Sequence, residues 1–313
     1  MSEHMNFEQF QEYIRTHIYD YLPEEYEKSD ISFSEVLKNG DVNLTGLLIR
    51  KAGQHIAPSI YLNSMYADYC NGRDIDELVR EIADMRVKAD VSEEISGLIG
   101  NITDYSKVKD KLTVHICDTE DNRKRLKSLA HREYGDFSAT YHILLTSDET
   151  GSASTAVTKE LLKIWDITME QVHKDAQFAD MMRGTPGLYR LEDLMIKMVT
   201  ADFEPKNYLE YKLNNENCLG LYCLTVLGHD NAAALLFDDE VMKRVGERLG
   251  CDFYILPSSL HEVLILPATD EVDTEYLSSM VKEINRNEVQ PQDRLSDHVQ
   301  IYRVSTGTLE RAV

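Results

Sequence analysis

Residues 251–266 read CDFYILPSSLHEVLIL, and this stretch decides the fold class. It holds two short apolar runs, 251–256 and 262–266, on either side of a connection rich in proline and serine. Runs of this length between turn-forming residues are typical of β-strands, and two that follow each other closely predict a hairpin. The stretch therefore predicts an antiparallel strand pair near the C-terminus.

The same rhythm extends to both sides of this pair. The pattern predicts further strands at 217–227, 232–237, 298–304 and 307–310, and helices at 238–249 and 273–287. The first of these helices carries acids in its first turn and is followed by Gly250, the usual residue just beyond a helix. This order of elements, hairpin, helix, hairpin, helix and hairpin, predicts an antiparallel sheet that is covered on one face by helices.

The N-terminal residues predict a similar layout. Helical spacing of apolar residues predicts a helix over 5–21. Asn39-Gly40-Asp41 lies between the runs 31–38 and 42–50, and Asn-Gly in that position is the strongest short-range hairpin signal. A third strand is expected over 55–62, where Pro58 favours an edge position or a bulge. Helices are expected over 63–70 and 74–88.

The middle of the chain is less regular. It predicts strands at 111–117 and 137–145, and helices at 119–130, 156–182 and 190–200. Residues 147–155 are small and polar and form the best linker candidate. We therefore expect an α+β protein with antiparallel sheets covered by helices in two lobes. Residues 1–150 form the N-terminal lobe, and residues 151–313 form a helical connector and the C-terminal lobe.

Charge limits the classes of partner. The chain has 33 Lys and Arg against 55 Asp and Glu, a formal charge of −22. Nucleic-acid binding depends on basic residues that neutralise phosphates, so no nucleic-acid partner is expected. An anionic membrane surface is an equally poor partner, and no apolar run approaches the roughly 20 residues that span a bilayer. The expected partner is an unidentified protein or small molecule.

Cysteine usage and the first residues indicate a location. None of the five cysteines forms a C-x-x-C pair, and most lie among apolar residues, as buried free thiols do in a reducing compartment. The first residues, MSEHMNFEQF, lack the basic and apolar segments of a signal peptide. We therefore expect a cytoplasmic protein.

Familiar chemical motifs are missing from the sequence. It contains no Walker A sequence, no G-x-G-x-x-G, no G-x-S-x-G and no H-E-x-x-H. The DTEDN segment at 118–122 resembles a calcium loop, but Arg123 stands where that loop needs glycine. His115 and His142 alternate with apolar residues in strands, which favours a structural role. We expect no metal and no cofactor, and no catalytic residue is assigned.

One polar cluster is a candidate functional site, and it comprises Ser258, Ser259, His261, Glu262 and Asp297. Ser259 and His261 share one face of an extended segment, so they form a nucleophile–base pair if their side chains come within about 3 Å. Asp297 supplies the acid of a triad only if the closing strand lies adjacent. The alternatives are that the serines satisfy backbone groups in a tight connection, or that the cluster binds a ligand.

The stretch ILPSSLHEVLILP at 255–267 resembles the signature of an uncharacterised family, a domain of unknown function from anaerobic gut Firmicutes. The closing segment LSDHVQIY at 295–302 resembles the same family, as do 39–62 and 161–171. The resemblance covers nearly the whole chain. It implies a bacterial cytoplasmic protein linked to mobile elements, and it brings no activity, cofactor or catalytic residue.

Three functions are compatible with these observations. The leading one is a non-enzymatic binding or protein-interaction protein, because catalytic motifs are missing and the charge is acidic. The alternative is a hydrolase of unfamiliar type centred on Ser258-Ser259-Leu260-His261-Glu262. A third is an acidic decoy that mimics nucleic acid and occupies basic proteins, and it rests on net charge alone.

Overall fold

The computed structural model describes residues 4–54, 57–89, 93–148, 151–200, 202–210, 220–257, 259–268 and 272–312. Within these residues, helices accompany antiparallel sheets of three, four and six strands. The α+β class predicted from the sequence is confirmed. Contacts divide the chain into two compact units, Met1–Lys38 with Val42–Gly100 and Asn39–Asp41 with Asn101–Val313.

The first unit combines a three-stranded sheet with helices. Its elements are α1 (Phe7–His17), β1 (Asp30–Leu37), β2 (Asn43–Arg50), β3 (Ser59–Tyr61), α2 (Leu62–Cys70), α3 (Ile75–Lys88) and α4 (Glu93–Gly100). The strand order is β1-β2-β3, so β3 lies at an edge, as Pro58 predicted. Asn6 caps α1 by accepting from the Gln9 amide, and Asp74 caps α3.

Apolar side chains from these elements form one core in the first unit. Phe10 and Ile14 of α1, Leu47 of β2 and Ile82 of α3 are completely buried. Phe10 and Ile14 lie one helical turn apart, so they share the buried face of α1. Burial of this kind stabilises a domain by roughly 25 cal/mol per Å² of apolar surface.

The hairpin of β1 and β2 is confirmed, with Leu37 paired to Asn43, but its connection is wider than a two-residue turn. The Lys38 amide donates to the Val42 carbonyl at 2.8 Å, which leaves Asn39–Asp41 between them. Positive φ angles occur at Gly40 (71°) and Asp41 (51°). The Asn-Gly signal therefore identified the turn, although the left-handed residues lie one position later.

The second unit begins with a four-stranded sheet. Its elements are α5 (Tyr105–Val108), β4 (Leu112–Asp118), α6 (Arg123–Leu126), β5 (His131–Tyr134), β6 (Phe137–Asp148), β7 (Gly151–Ala156), α7 (Lys159–Trp165) and α8 (Met169–Arg183). The strand order is β4-β6-β5, and β7 pairs with the C-terminal half of β6. Helix α8 packs against β4 and buries Val172, His173 and Ala176.

A six-stranded antiparallel sheet completes the second unit. Its elements are β8 (Gly187–Arg190), α9 (Leu191–Val199), β9 (Tyr222–Thr225), α10 (Asp239–Leu249), β10 (Phe253–Leu256), β11 (Val263–Pro267), α11 (Thr274–Asn287), β12 (Gln300–Arg303) and β13 (Thr308–Arg311). The order is β13-β12-β10-β11-β9-β8. Leu277 and Val281 of α11 pack on Leu256 and Val299. The hairpin predicted from residues 251–266 is confirmed as β10 and β11.

Three sequence expectations were wrong in the second unit. Residues 147–155, expected to be a linker, contain most of β7, because small side chains fit beside a neighbouring strand as well as in a loop. Residues 232–237, expected to be a strand, form a 3₁₀-helix, since a short apolar run does not distinguish strand from buried helix. The charged helix expected over 119–130 is limited to Arg123–Leu126.

The chain passes from the first unit to the second at Gly100 and Asn101, and Asn39–Asp41 also belong to the second unit. The predicted boundary between residues 150 and 151 falls within the range of the second unit, and the two-lobe division at that position stays a prediction. No helix among the described residues combines the length and the apolar character that a membrane span requires.

Candidate functional site

A cavity of about 440 Å³ lies in the second unit. Its walls come from β4, the C-terminal half of α8, the segment Gly184–Pro186 and the loop and 3₁₀-helix over Val226–Asp238. We call it the α8 cavity. Its volume falls in the range of about 300–1,000 Å³ that small-molecule sites occupy.

Gly184 lets the cavity wall close. It ends α8, and a β-carbon at this position would lie 2.4 Å from Val226 Cγ1 and 2.9 Å from His229 Cδ2. Distances under 3.0 Å are not tolerated between such atoms, so any larger residue would push the Val226–His229 segment away. Gly184, the first residue of the Gly-Thr-Pro-Gly sequence at 184–187, thus ends α8 and lets His229 approach the end of this helix.

The tight loop over Val226–Asn231 forms another part of the cavity wall. The His229 amide donates to the Val226 carbonyl at 3.1 Å, and Gly228 (φ 77°) and Asn231 (φ 61°) are left-handed. Glycine and asparagine adopt this conformation at the lowest cost. The loop is anchored where the Ala233 amide donates to the Leu260 carbonyl at 3.1 Å.

Asp180 and Arg183 form an ion pair in the cavity wall. Asp180 Oδ1 accepts from Arg183 Nη2 at 2.6 Å, and Asp180 Oδ2 accepts from the Val114 amide at 2.8 Å. Burial raises the pKa of Asp180 above its ordinary value, whereas the bonds from Val114 and Arg183 act in the opposite direction. The side chain of Asp180 is 36% exposed, and the residue lines the cavity.

Two histidines contribute to the cavity wall, His115 from β4 and His229 from the loop. The His115 ring stacks on His142 with centroids 3.9 Å apart and planes 14° from parallel. His142 is buried, and its Nε2 and Nδ1 lie 3.3 Å from the hydroxyls of Thr140 and Ser154. His142 thus lies in a strand with a hydroxyl beside each ring nitrogen, and the place of its neighbour His115 in the cavity wall was not predicted.

Two further carboxylates line the cavity, Asp230 and Asp238. Asp238 caps α10 and accepts from the amides of Glu240 and Val241 at 3.1 and 3.0 Å. Asp230 is more open, with its side chain 53% exposed. Asp180 and Asp238 therefore already accept hydrogen bonds from protein groups, whereas Asp230 is more exposed.

The candidate cluster from the sequence is only partly assembled. Ser258 lies outside the described residues. The Ser259 hydroxyl accepts from the backbone amide of His261 at 3.0 Å, and Ser259 pairs with Arg294 in an isolated antiparallel bridge. No hydrogen bond joins the Ser259 hydroxyl to the His261 imidazole within the described part of the chain. This is the arrangement of a hydroxyl that satisfies a backbone group.

His261 has acidic neighbours other than the one proposed. Its Nδ1 lies 3.7 Å from Asp230 Oδ1, and its Nε2 lies 3.9 Å from Asp293 Oδ1. Asp297 instead accepts from Asn285 Nδ2 at 2.7 Å, and Glu262 is exposed. Sequence reasoning missed Asp230 and Asp293 because loops distant in the chain carry them.

The cluster and the cavity are nevertheless neighbours. Asp230 and Asn231 line the cavity, and the Asn231 amide donates to His261 Nδ1 at 3.5 Å. His261 thus contacts the loop through the Asn231 amide and lies close to the carboxylate of Asp230. Within the described ranges, no three histidine, cysteine or acidic side chains are grouped so as to hold a metal ion.

The chain was compared with known proteins. The model of a family described as "Family of unknown function (DUF5688)" matches residues 7–304. No curated protein and no solved structure gives a significant match. The expected resemblance to an uncharacterised family is therefore confirmed over nearly the whole chain.

Proposed function

From the premise that this chain belongs to the family of unknown function DUF5688, we propose that it is a non-enzymatic binding protein whose ligand site is the α8 cavity. The observation that carries the proposal is the cavity itself, about 440 Å³ with both polar and apolar walls. Sites for small molecules combine an apolar surface with a few polar groups that fix orientation.

The composition of the wall supports a small molecule as the ligand. Val114, Leu144 and Leu235 offer apolar surface, while Gln177 and Asn231 offer amides that both donate and accept. Gln177 Nε2 already donates to the Phe237 carbonyl at 2.8 Å, which fixes its orientation. Fixed side chains lower the entropy that a ligand must overcome on binding.

The geometry of the serine cluster supports a role without catalysis. Nucleophilic catalysis requires the serine hydroxyl to bond the base, and the Ser259 hydroxyl bonds a backbone amide instead. The pKa values of the buried thiols Cys117 and Cys223 are raised to about 12 by burial, so these residues are poor nucleophiles. The hydrolase alternative centred on residues 258–262 stays a prediction.

A cytoplasmic location is part of the proposal. The cysteines that the structure describes, Cys70, Cys117, Cys223 and Cys251, are free thiols. Free thiols fit a reducing compartment. The formal charge of −22 supports a ligand or partner that is not a nucleic acid.

A cavity-filling variant tests the proposal. Ala234 lines the cavity, so Ala234→Leu should place three additional carbon atoms in it. The matched control is Ala67→Leu on the exposed surface of α2 in the first unit. A chemically diverse library of small molecules is screened by thermal shift, and the hits are titrated by calorimetry against the parent and both variants.

We expect compounds that bind the parent and Ala67→Leu alike and bind Ala234→Leu at least about tenfold more weakly, a loss of about 1.4 kcal/mol. A library that yields no binder would contradict the proposal. Hits that bind Ala234→Leu as well as the parent would do the same. Circular dichroism and the melting temperature of Ala234→Leu establish that it is folded.

A further inference from the structure

We infer that the ligand of the α8 cavity is a cationic amphiphile, an amine that carries an alkyl or similar apolar chain. The inference rests on the proposed function and specifies the chemistry of its ligand. The cavity wall is rich in carboxylates, and large exposed apolar side chains lie on it or beside its residues in the chain.

Carboxylates outnumber cations in the cavity wall. Asp180, Asp230 and Asp238 line it, whereas Arg183 is the single guanidinium or ammonium among the described lining residues. His115 and His229 add imidazoles, which in the neutral form can accept a hydrogen bond from an ammonium group. A cation gains Coulomb energy in such a site, and an anion loses it.

The one guanidinium is not available to an anionic ligand. Arg183 Nη2 donates to Asp180 Oδ1 and to the Leu112 carbonyl, and Nη1 donates to the Asp110 carbonyl at 3.3 Å. These acceptors hold the guanidinium toward the start of β4. The single guanidinium of the wall therefore already donates to acceptors of the protein, one of which is the carboxylate of Asp180.

The carboxylate of Asp230 can accept further hydrogen bonds. An ionised carboxylate accepts about four hydrogen bonds, and among the described residues the side chain of Asp230 has one ion-pair neighbour, the imidazole of His261, 3.7 Å away. Its side chain is 53% exposed, so a ligand reaches it without displacing a protein partner. Asp230 is the acceptor that we assign to the ligand's ammonium group.

Large apolar side chains are exposed on the cavity wall and beside its residues in the chain. Met181 lines the cavity and is 57% exposed, and Phe178, one helical turn earlier on α8, is 58% exposed. Leu227, between the lining residues Val226 and Gly228, is 43% exposed. Large exposed apolar side chains next to a cavity mark a binding surface. Methionine adapts to flexible chains, which suits an alkyl segment.

The carboxylates and the exposed apolar side chains together determine the ligand class. An ammonium group placed at Asp230 leaves an attached chain to lie along Met181 and Phe178. The formal charge of −22 also attracts cations to the protein in general, so an experiment must separate local from general attraction.

Three probes of equal chain length provide that experiment. Decylammonium, decanol and decanoate are titrated below their micelle concentrations into the parent protein by calorimetry. We expect decylammonium to bind at least about tenfold more tightly than decanol, and decanoate to bind more weakly than both. Butylammonium, which keeps the charge and loses most of the chain, should bind at least about tenfold more weakly than decylammonium.

Matched variants locate the cation. Asp230→Asn should weaken decylammonium binding by about five- to tenfold and leave decanol binding within about twofold. Asp84→Asn removes the same charge from an exposed site on α3 in the first unit, and it should change decylammonium binding by less than about twofold. Met181→Ser should weaken decylammonium more than butylammonium, because it removes contacts to the chain alone.

Equal affinities for decylammonium, decanol and decanoate would overturn the inference, and so would equal losses in Asp230→Asn and Asp84→Asn. If none of these probes binds while library compounds still depend on residue 234, the cationic amphiphile is wrong and the ligand-binding function stands. If no compound of any class depends on residue 234, the proposed function fails as well.

Discussion

Single residues set the shape and the chemistry of the α8 cavity. Gly184 permits the close approach of Val226 and His229, and Asn231 takes a left-handed conformation at the start of the 3₁₀-helix over Ala232–Phe237. Asp180 is held by Arg183 and the Val114 amide, so its carboxylate has one orientation. No short sequence motif predicts the geometry that these residues adopt.

Gly184→Ala should destabilise the protein. The added methyl group would overlap Val226 Cγ1 and the His229 ring, and relief of such overlap costs about 1–3 kcal/mol. The control is Gly97→Ala in α4, where the added carbon meets open space outside its own helix among the described residues. Alanine is favoured over glycine in helices by about 1 kcal/mol, so the control should be neutral or stabilising. Urea denaturation measures the free energy of unfolding of both variants. An unchanged free energy for Gly184→Ala would contradict the expectation and show that the Val226–His229 segment moves aside at no cost.

Ser259 and His261 test the catalytic alternative. Because the Ser259 hydroxyl bonds the His261 amide, Ser259→Ala should lower the free energy of unfolding by about 0.5–1.5 kcal/mol. We expect the parent protein to hydrolyse no member of a panel of esters and peptides. A parent that hydrolyses the panel, with activity lost in both folded Ser259→Ala and His261→Ala, would establish the hydrolase instead.

The sequence predicted one polar cluster of Ser258, Ser259, His261, Glu262 and Asp297 in an extended segment. The structure places residues 259–262 in the connection between β10 and β11, with a bend at Leu260 and His261, so strand alternation does not govern their side chains. Which acid approaches His261 depends on loops about 30 residues away in either direction, and no local pattern encodes that. Asp230 and Asp293 were therefore not predicted, and Asp297, whose role was conditional on an adjacent closing strand, accepts from Asn285.

Elements with strong periodicity were predictable, and elements with weak periodicity were not. Helices α1, α3, α10 and α11 each present an apolar stripe and a capping residue, and all four match their expected ranges to within a few residues. Residues 232–237 and β7 lack such a stripe, and neighbouring elements decide their conformation. The two failures thus have one physical cause, the dominance of tertiary contacts over short segments.

The turn Asn39–Asp41 gives a prediction at this scale. Gly40 has φ 71°, and its amide donates to Asn122 Oδ1 at 3.1 Å, while Asp41 accepts from the amides of Lys124 and Arg125. Gly40→Val places a β-branched residue in left-handed backbone and should cost on the order of 1–3 kcal/mol. An unchanged urea midpoint would contradict the strained-turn interpretation.

The packing of α8 on the four-stranded sheet predicts a pH dependence. His173 on α8 is buried, and its Nδ1 lies 3.1 Å from the Tyr141 hydroxyl of β6. Burial lowers the pKa of His173 from its ordinary 6.5, with nearby Arg132 acting in the same direction and Asp238, Asp239 and Glu170 in the opposite one. The unfolded chain therefore binds a proton at a higher pH than the folded chain.

Stability should accordingly fall as the pH decreases below about 6.5, until the folded form is itself protonated. His173→Gln cannot be protonated, so its stability should decline less between pH 7 and pH 5 than that of the parent. His4→Gln, at an exposed position, serves as the control. Parallel stability curves for the parent and His173→Gln, from urea denaturation at several pH values, would contradict this account.

At the scale of the whole molecule, composition and family agree with the proposal. The strongly acidic chain favours cationic partners in general, and the family membership covers residues 7–304 without supplying an activity. Fold class followed from the sequence because strand and helix patterns are local. The cavity did not, because β4, α8 and the loop over Val226–Asn231 meet only through the tertiary fold.

The most direct test of ligand binding in the α8 cavity is a map of backbone amide chemical shifts as the tightest-binding compound is added. The account predicts that the largest changes occur at the cavity wall, at the amides of Val114, Gln177, Gly184 and Asn231, and that they disappear in Ala234→Leu. Changes confined to residues outside the cavity wall, or changes of equal size in Ala234→Leu, would contradict it.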